Sequence, residues 1–396
     1  MTLCSTLGAN LRVEMLQFNM NGINEFESCG VQGQIRELNT ITKSRTIRMK
    51  KVSLYLTLVS FVLLGAAALA APPGSGYHLL KKIPLGAAPG GGEYFDYVTI
   101  DAAARRVYLS HGAEVKVLDA DNFSVVGTIS GLKRCHGVVV LPELGKGFIT
   151  DGDAAKVVVF DLKTLKITTE IKGAPDTDSL VYDPASKLIF TFNGDSKNAS
   201  VIDPVKETIV KTIDLAGGVE QSVADGKGTI YDNNEEKNDI AVIDTKTLTV
   251  KTRWPIAPAG TPVAIDMDRE HRRVFSSGRD PHFLIVMDAD SGKVLQSLPI
   301  SSGVDGTVFE PETGLVFVST RAGKLHIFHE DSPDKLTEVE TIDTEYGAKT
   351  MNIDPKTHNL FLSSSDFGPP GPPTKKHPHP EKTAIPGTFH VLVYGR

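Results

Sequence analysis

An apolar strand that runs into Asp recurs along this chain at a nearly constant interval. Val115-Lys116-Val117-Leu118-Asp119 is the first case, and comparable runs end at Asp161, Asp203, Asp244 and Asp288, with His329 in the sixth place. The steps between them are 42, 42, 41, 44 and 41 residues. A fixed period of this length made of strands predicts an all-β fold, a β-propeller, because each repeat is one four-stranded blade that buries its faces only against its neighbours.

The first repeat shows the grammar. Residues 97–100 alternate as an inner strand, 101–105 turn, 106–110 return, 115–118 form a third strand and 124–129 a fourth. Each segment is short, rich in β-branched and aromatic residues, and bounded by Gly, Asp or Asn. The recurring aspartates precede turn sequences such as Leu162-Lys163-Thr164 and Thr245-Lys246-Thr247. They are therefore expected to accept backbone N–H bonds in Asx-type turns rather than to do chemistry, and the second series at Asp101, Asp183, Asp225, Asp266 and Asp354 is read the same way.

The seventh repeat begins at Thr350, continues through 360–364, and breaks off into a proline-rich insertion at 367–387 before a last strand at 388–394. That leaves the last blade one strand short. Residues 77–83, ahead of the first repeat, form an orphan strand, and pairing it onto the seventh blade closes the ring and removes two exposed edges. The expected architecture is thus seven four-stranded antiparallel blades over 71–396, the last completed by the N-terminal strand.

The unit Ala241-Val242-Ile243-Asp244-Thr245-Lys246-Thr247-Leu248-Thr249-Val250, and its counterpart across 200–213, resembles the YVTN repeat of YncE-like bacterial propellers. The resemblance covers about 77–394. It departs from the pattern at His329 and in the insertion, and Tyr97-Val98-Thr99 keeps the name-giving triplet in an inner-strand context. It implies an exported, seven-bladed protein without one shared activity.

The N-terminal residues fit export. Residues 1–48 carry no repeat and read as a non-native or disordered extension. Met49-Lys50-Lys51, an apolar run at 52–64 and Ala68-Leu69-Ala70 compose a signal peptide at 49–70. Its apolar run is shorter than the ~20 residues of a membrane span. Cleavage lowers Lys plus Arg from 42 to 35 and Asp plus Glu from 48 to 44, moving the formal charge from −6 to −9. So acidic a chain is unsuited to nucleic acid, which is bound through clustered Lys and Arg. The expectation is a periplasmic or secreted monomer with no membrane span. Of three cysteines only Cys135 survives cleavage, so no intramolecular disulfide forms.

On a propeller, the start of each inner strand and the end of each second strand open toward one mouth of the central channel. Reading those positions blade by blade selects Glu93, Asp96, His136, Asp178, Glu220, Asp305 and Lys349 at inner-strand entries. Second-strand exits supply His111, Asp151, Asn193, Asp232 and Arg321. This mouth is the candidate site for a small molecule or a protein partner. The competing reading resembles the metal-dependent lactonase propellers, in which acids and an amide from different blades hold one divalent cation. Glu93, Asp178, Asn193 and Glu220 are its candidate ligands here. Binding is the preferred reading, because nothing in the sequence pairs a nucleophile with a base. Three further features are read as structural: Trp254 as packing, Cys135 as an inert thiol facing away from His136, and the insertion as an extended solvated loop.

Overall fold

The computed structural model describes residues 74–90, 93–372 and 382–396; the extension, the signal peptide and the Lys375-Lys376-His377-Pro378-His379-Pro380 run lie outside these. Seven four-stranded antiparallel sheets follow one another along the chain as blades. The first comprises Phe95–Asp101, Arg106–His111, Glu114–Asp119 and Val125–Ser130, and five more, at 135–172, 177–214, 219–255, 262–299 and 304–343, repeat its meander. The seventh is ordered differently: Met351–Ile353, Leu360–Ser364, Phe389–Gly395 and, outermost, His78–Gly86. The N-terminal strand pairs antiparallel with the C-terminal one, Lys82 opposite Leu392 and Ile83 opposite Val391. This is the closure anticipated from the orphan strand.

Closure is visible in the packing. Among the described residues the buried side chains fall into seven clusters, each between two neighbouring blades. The cluster that joins the seventh blade to the first gathers Ile83, Phe361, Phe389 and Val393 against Phe95, Val107 and Leu109. Alternation along each middle strand explains this, since successive side chains serve opposite interfaces. In the fourth blade Ile230 packs toward the third while Tyr231 stacks on Trp254 and packs toward the fifth. Trp254 is thus a core residue.

The repeated aspartates make the turns. Asp119 Oδ1 accepts from the N–H groups of Asp121 and Asn122 at 2.9 Å each, and Asp244 Oδ1 from those of Lys246 and Thr247 at 3.0 and 2.7 Å. Four residues on, the chain enters the left-handed region, at Phe123, Leu165, Glu207 and Leu248, and that residue's N–H returns to the aspartate carbonyl. Two turns depart from the expected series. In the fifth blade Asp268, not Asp266, leads the turn, while Asp266 Oδ2 accepts the Phe309 N–H of the next blade at 2.8 Å. In the sixth, strands Lys324–Ser332 and Lys335–Asp343 run on past His329, so no turn residue is needed there.

Part of the insertion is strand. Phe367–Pro370 and Lys382–Ala384 pair as a small hairpin, where a loop was expected. Among the described residues no helix is long and apolar enough to cross a membrane.

Candidate functional site

The first residues of six inner strands share a local irregularity that builds the site. Pairing with the second strand slips between Phe95 and Val98, Cys135 and Val138, Thr177 and Leu180, and Val219 and Ser222, and likewise between Pro262 and Ala264 and between Val304 and Gly306. Each slip is a β-bulge, which frees a residue from the ladder and re-aims its side chain. The freed positions are Asp96, His136, Asp178, Glu220, Val263 and Asp305. Hydroxyls of the second strand satisfy the released backbone, with Ser110 Oγ accepting the Asp96 N–H at 3.1 Å and Thr150 Oγ1 that of Gly137 at 2.9 Å. Other hydroxyls tie the inner strands together around the channel. Thr350 donates to the Asp96 carbonyl at 2.6 Å, and Ser179 to that of Glu220 at 2.6 Å.

These side chains surround a polar cavity of about 260 Å³ at the channel mouth. On one side His136 Nδ1 lies 2.9 Å from Asp96 Oδ2, 2.8 Å from Asp178 Oδ1 and 2.8 Å from Tyr94 Oη. The Tyr94 hydroxyl donates to Asp96 Oδ2 at 2.7 Å, and Lys349 Nζ to Asp96 Oδ1 at 3.2 Å. The Arg134 guanidinium stacks on the Tyr94 ring, 4.3 Å from its centroid. On the other side Arg321 donates Nε and a terminal nitrogen to Asp305 Oδ2, at 2.9 and 2.7 Å, and Arg279 grips Asp305 Oδ1. Arg279 also stands 3.8 Å from Glu220 Oε1.

The electrostatics follow from burial set against these pairs. Burial alone depresses the His136 imidazole, but the carboxylates of Asp178 and Asp96 outweigh it and push the pKa up to about 10. Burial opposes ionisation of Asp96, yet Lys349 and the His136 and Tyr94 hydrogen bonds hold its carboxyl far below the usual range. Burial raises Asp178 despite His136, and raises Glu220 well above its ordinary value, with Asp178 adding to the effect and Arg279 only partly offsetting it. Asp305 stays low, because Arg321, Lys349 and Arg279 overcome its burial. The imidazolium of His136 is therefore clamped between two acids, while Glu220 tends to the neutral form.

Of the residues selected from sequence, Asp96, His136, Asp178, Glu220, Asp305, Arg321 and Lys349 line this cavity. The remaining second-strand residues lie elsewhere. His111, Asp151, Asn193 and Asp232 are fully buried, because the last residues of a second strand face the neighbouring blade instead of the channel. His111 stacks on Phe389 and reaches Glu93 Oε1 at 2.8 Å. Asp151 Oδ1 accepts the N–H groups of Lys133 and Arg134 at 3.0 and 2.9 Å, which sets the loop that carries Arg134. Asn193 donates to Asn198 and Ser200 in its own blade. Both carboxylate oxygens of Asp232 are buried without a hydrogen-bond partner. The four sequence-selected cation ligands are accordingly not one cluster: Asp178 and Glu220 share the mouth, Glu93 pairs with His111, and Asn193 sits inside the third blade. The donors that do converge are Asp96, His136 and Asp178, whose ligand atoms lie within 4.8 Å of one another. Cys135, beside His136, is turned away; its thiol donates to the Glu114 carbonyl at 3.1 Å, and burial pushes its pKa up to about 12.

The ionisable mouth residues that escaped the sequence reading include Tyr94, Arg134, Asp176 and Arg279. The first three each precede an inner strand by one residue. Arg279 follows Gly278, the partner of Pro262, as Arg321 follows Thr320, the partner of Val304. A register-based alignment of the fifth and sixth blades carries that signal.

A family described as a domain of unknown function, DUF5074, matches residues 139–257, from the second blade to just past the fourth. Antigen Lp49 of Leptospira interrogans is 24% identical over 266 residues, covering 58% of this chain and 54% of that protein. The chain thus spans about half the length of the curated relative it matches.

Proposed function

We propose that this chain is an exported recognition module of the YncE-like kind, whose channel mouth binds a small polar molecule carrying an anionic group. The observation that carries this reading is the convergence of charged side chains on one cavity of about 260 Å³. Five acids, Asp96, Asp176, Asp178, Glu220 and Asp305, meet five bases, Arg134, His136, Arg279, Arg321 and Lys349. Because burial holds Glu220 toward neutrality and the acid pair keeps His136 protonated, the cations are in excess. Arg321 spends one edge of its fork on Asp305 and keeps donors for a ligand. A rigid ring scaffold supports such recognition without a lid, since the donors are already ordered before the ligand arrives.

The test is a ligand-observed NMR titration with propionate and succinate, with thermal melts in parallel. Saturable binding that disappears in Arg279→Gln is the expected result; no response to either carboxylate sinks the proposal. N-terminal sequencing of the mature protein tests the start at Met49, which fails if residues before Met49 persist.

A second reading has its own observation, the Asp96–His136–Asp178 cluster. These three would hold one divalent cation in a lactonase-like hydrolase, provided the cation displaces the His136 proton and tolerates Lys349 3.2 Å from Asp96. Melts in EDTA and then in calcium, zinc or copper decide it. A metal-dependent shift lost in Asp178→Asn supports a cation site, and the absence of any shift removes it.

A further inference from the structure

Beside the mouth, the hairpin inserted in the seventh blade covers a second cavity, of about 210 Å³. Its walls include the rings of Tyr94, Phe95, Tyr346 and Phe367, and the cations Arg321, Lys349 and Lys382 stand around it. Lys382 Nζ lies 4.4 Å from the Tyr346 centroid, and Lys349 Nζ 5.3 Å from that of Phe95. Among the described residues the acid on this wall is Glu93, and it is already engaged: Oε1 meets His111 and Oε2 accepts the Gly387 N–H at 2.6 Å. That last bond fixes the returning end of the insertion against the first blade.

The roof is built for a ring. Phe367 meets Tyr346 edge to face with centroids 5.3 Å apart. Gly347 has φ +81°, and a Cβ there would lie 2.1 Å from the Phe367 ring, so glycine alone leaves Phe367 its seat. Tyr346 is nonetheless 38% exposed, an aromatic face left open at the rim. Tyr94, Arg321 and Lys349 line both cavities, so the apolar compartment adjoins the polar mouth.

We infer that this compartment takes the flat apolar part of the ligand, and that the ligand is an organic anion bearing an aromatic group, its charge held among Arg321, Lys349 and Lys382. Stacking between rings provides the apolar recognition, and the cations discriminate against an amine of the same shape. The inference rests on the mouth being the binding site, and it adds the ligand's chemical class and the part played by the insertion.

The test uses 3-phenylpropionate, propionate and 3-phenylpropan-1-amine on the whole chain by ligand-observed NMR, with thermal melts to confirm that each variant folds. Propionate reports on the mouth, and the gain from the phenyl group reports on the compartment. Phenylpropionate is expected to bind at least tenfold more tightly than propionate, and the amine not to bind. Phe367→Ala and Tyr346→Ala are expected to abolish the gain and leave propionate unaffected. Equal affinity for the two acids, a gain that survives both variants, or binding of the amine overturns the inference while leaving the mouth reading intact if propionate still binds. Failure of propionate alone, with a phenyl gain lost in Phe367→Ala, overturns the mouth reading and keeps the compartment.

Discussion

Replacing His136 by Asn removes the one cation that lies directly between Asp96 and Asp178. The carboxylates of Asp178 and Asp96 push its pKa up to about 10, from the ordinary histidine value of 6.5. At about 1.4 kcal/mol per unit, that difference links on the order of 5 kcal/mol of folding free energy to a single proton. The ring is almost fully buried, so solvent screening removes little of it. The sign is that of a base whose folded pKa lies above its unfolded value. Its stabilisation is complete below about pH 6.5, declines as pH rises, and is gone above about pH 10. His136→Asn also leaves two carboxylates facing each other, with Lys349 bonded to Asp96 and Arg134 near Asp178, and breaking a buried pair in this way typically costs ~3–5 kcal/mol. Urea unfolding of wild type and variant at pH 6, 7.5, 9 and 10 should therefore show a stability gap of that order at pH 6 that shrinks toward pH 10. The imidazole proton resonances of wild type should titrate far above the ordinary histidine range. A midpoint near 6.5, or a gap constant between pH 6 and 10, would refute the clamp and with it the charge balance assigned to the mouth.

Three other outcomes follow from the packing. Burial pushes the Asp232 carboxyl well up, with Arg253 only partly offsetting it, and leaves both oxygens unpartnered. The cost of keeping it neutral begins as pH rises past the unfolded carboxylate pKa, so Asp232→Asn should stabilise by ~1–3 kcal/mol at pH 7 and by less at pH 4, read from melts at the two pH values. At Gly147 a Cβ would lie 2.1 Å from the Phe160 ring; Gly147→Ala should lower stability by ~1–3 kcal/mol in urea unfolding, and an unchanged midpoint contradicts the packing. Deleting residues 78–86 strips the outer strand from the seventh blade and bares the buried strand Phe389–Gly395, so size-exclusion chromatography should show aggregation in place of the wild-type peak.

How far the sequence reached differs between the parts of the molecule, for physical reasons. The blades were legible because alternation and Asx turns are local: Asp119 and Asp244 bind N–H groups two and three residues away, and need nothing from the rest of the fold. The orphan strand was legible because a blade with an open edge demands a partner. The fifth-blade turn differs by two residues because Asp266 and Asp268 both lie near the end of the inner strand, and only the folded chain shows that the turn N–H groups go to Asp268 while the Phe309 N–H goes to Asp266. At the site, the bulge residues Asp96, His136, Asp178, Glu220 and Asp305 were reached by counting repeats. His111, Asp151, Asn193 and Asp232 occupy equally regular positions, yet their side chains turn into the interfaces between blades.

What the sequence determined by itself is the ring: its period, its seven blades and the strand that completes it, all set by patterns spanning a few residues and repeated. Tertiary structure alone decided which polar residues meet. Asp96 and Lys349 are 253 residues apart and share a hydrogen bond, and Glu93 meets the Gly387 N–H across 294. Such contacts depend on how bulges aim side chains once the ring has closed, and no local pattern encodes that geometry. The insertion shows the same division. Its prolines mark an interruption of the repeat, but only the folded chain seats Phe367 over Gly347 beside the mouth.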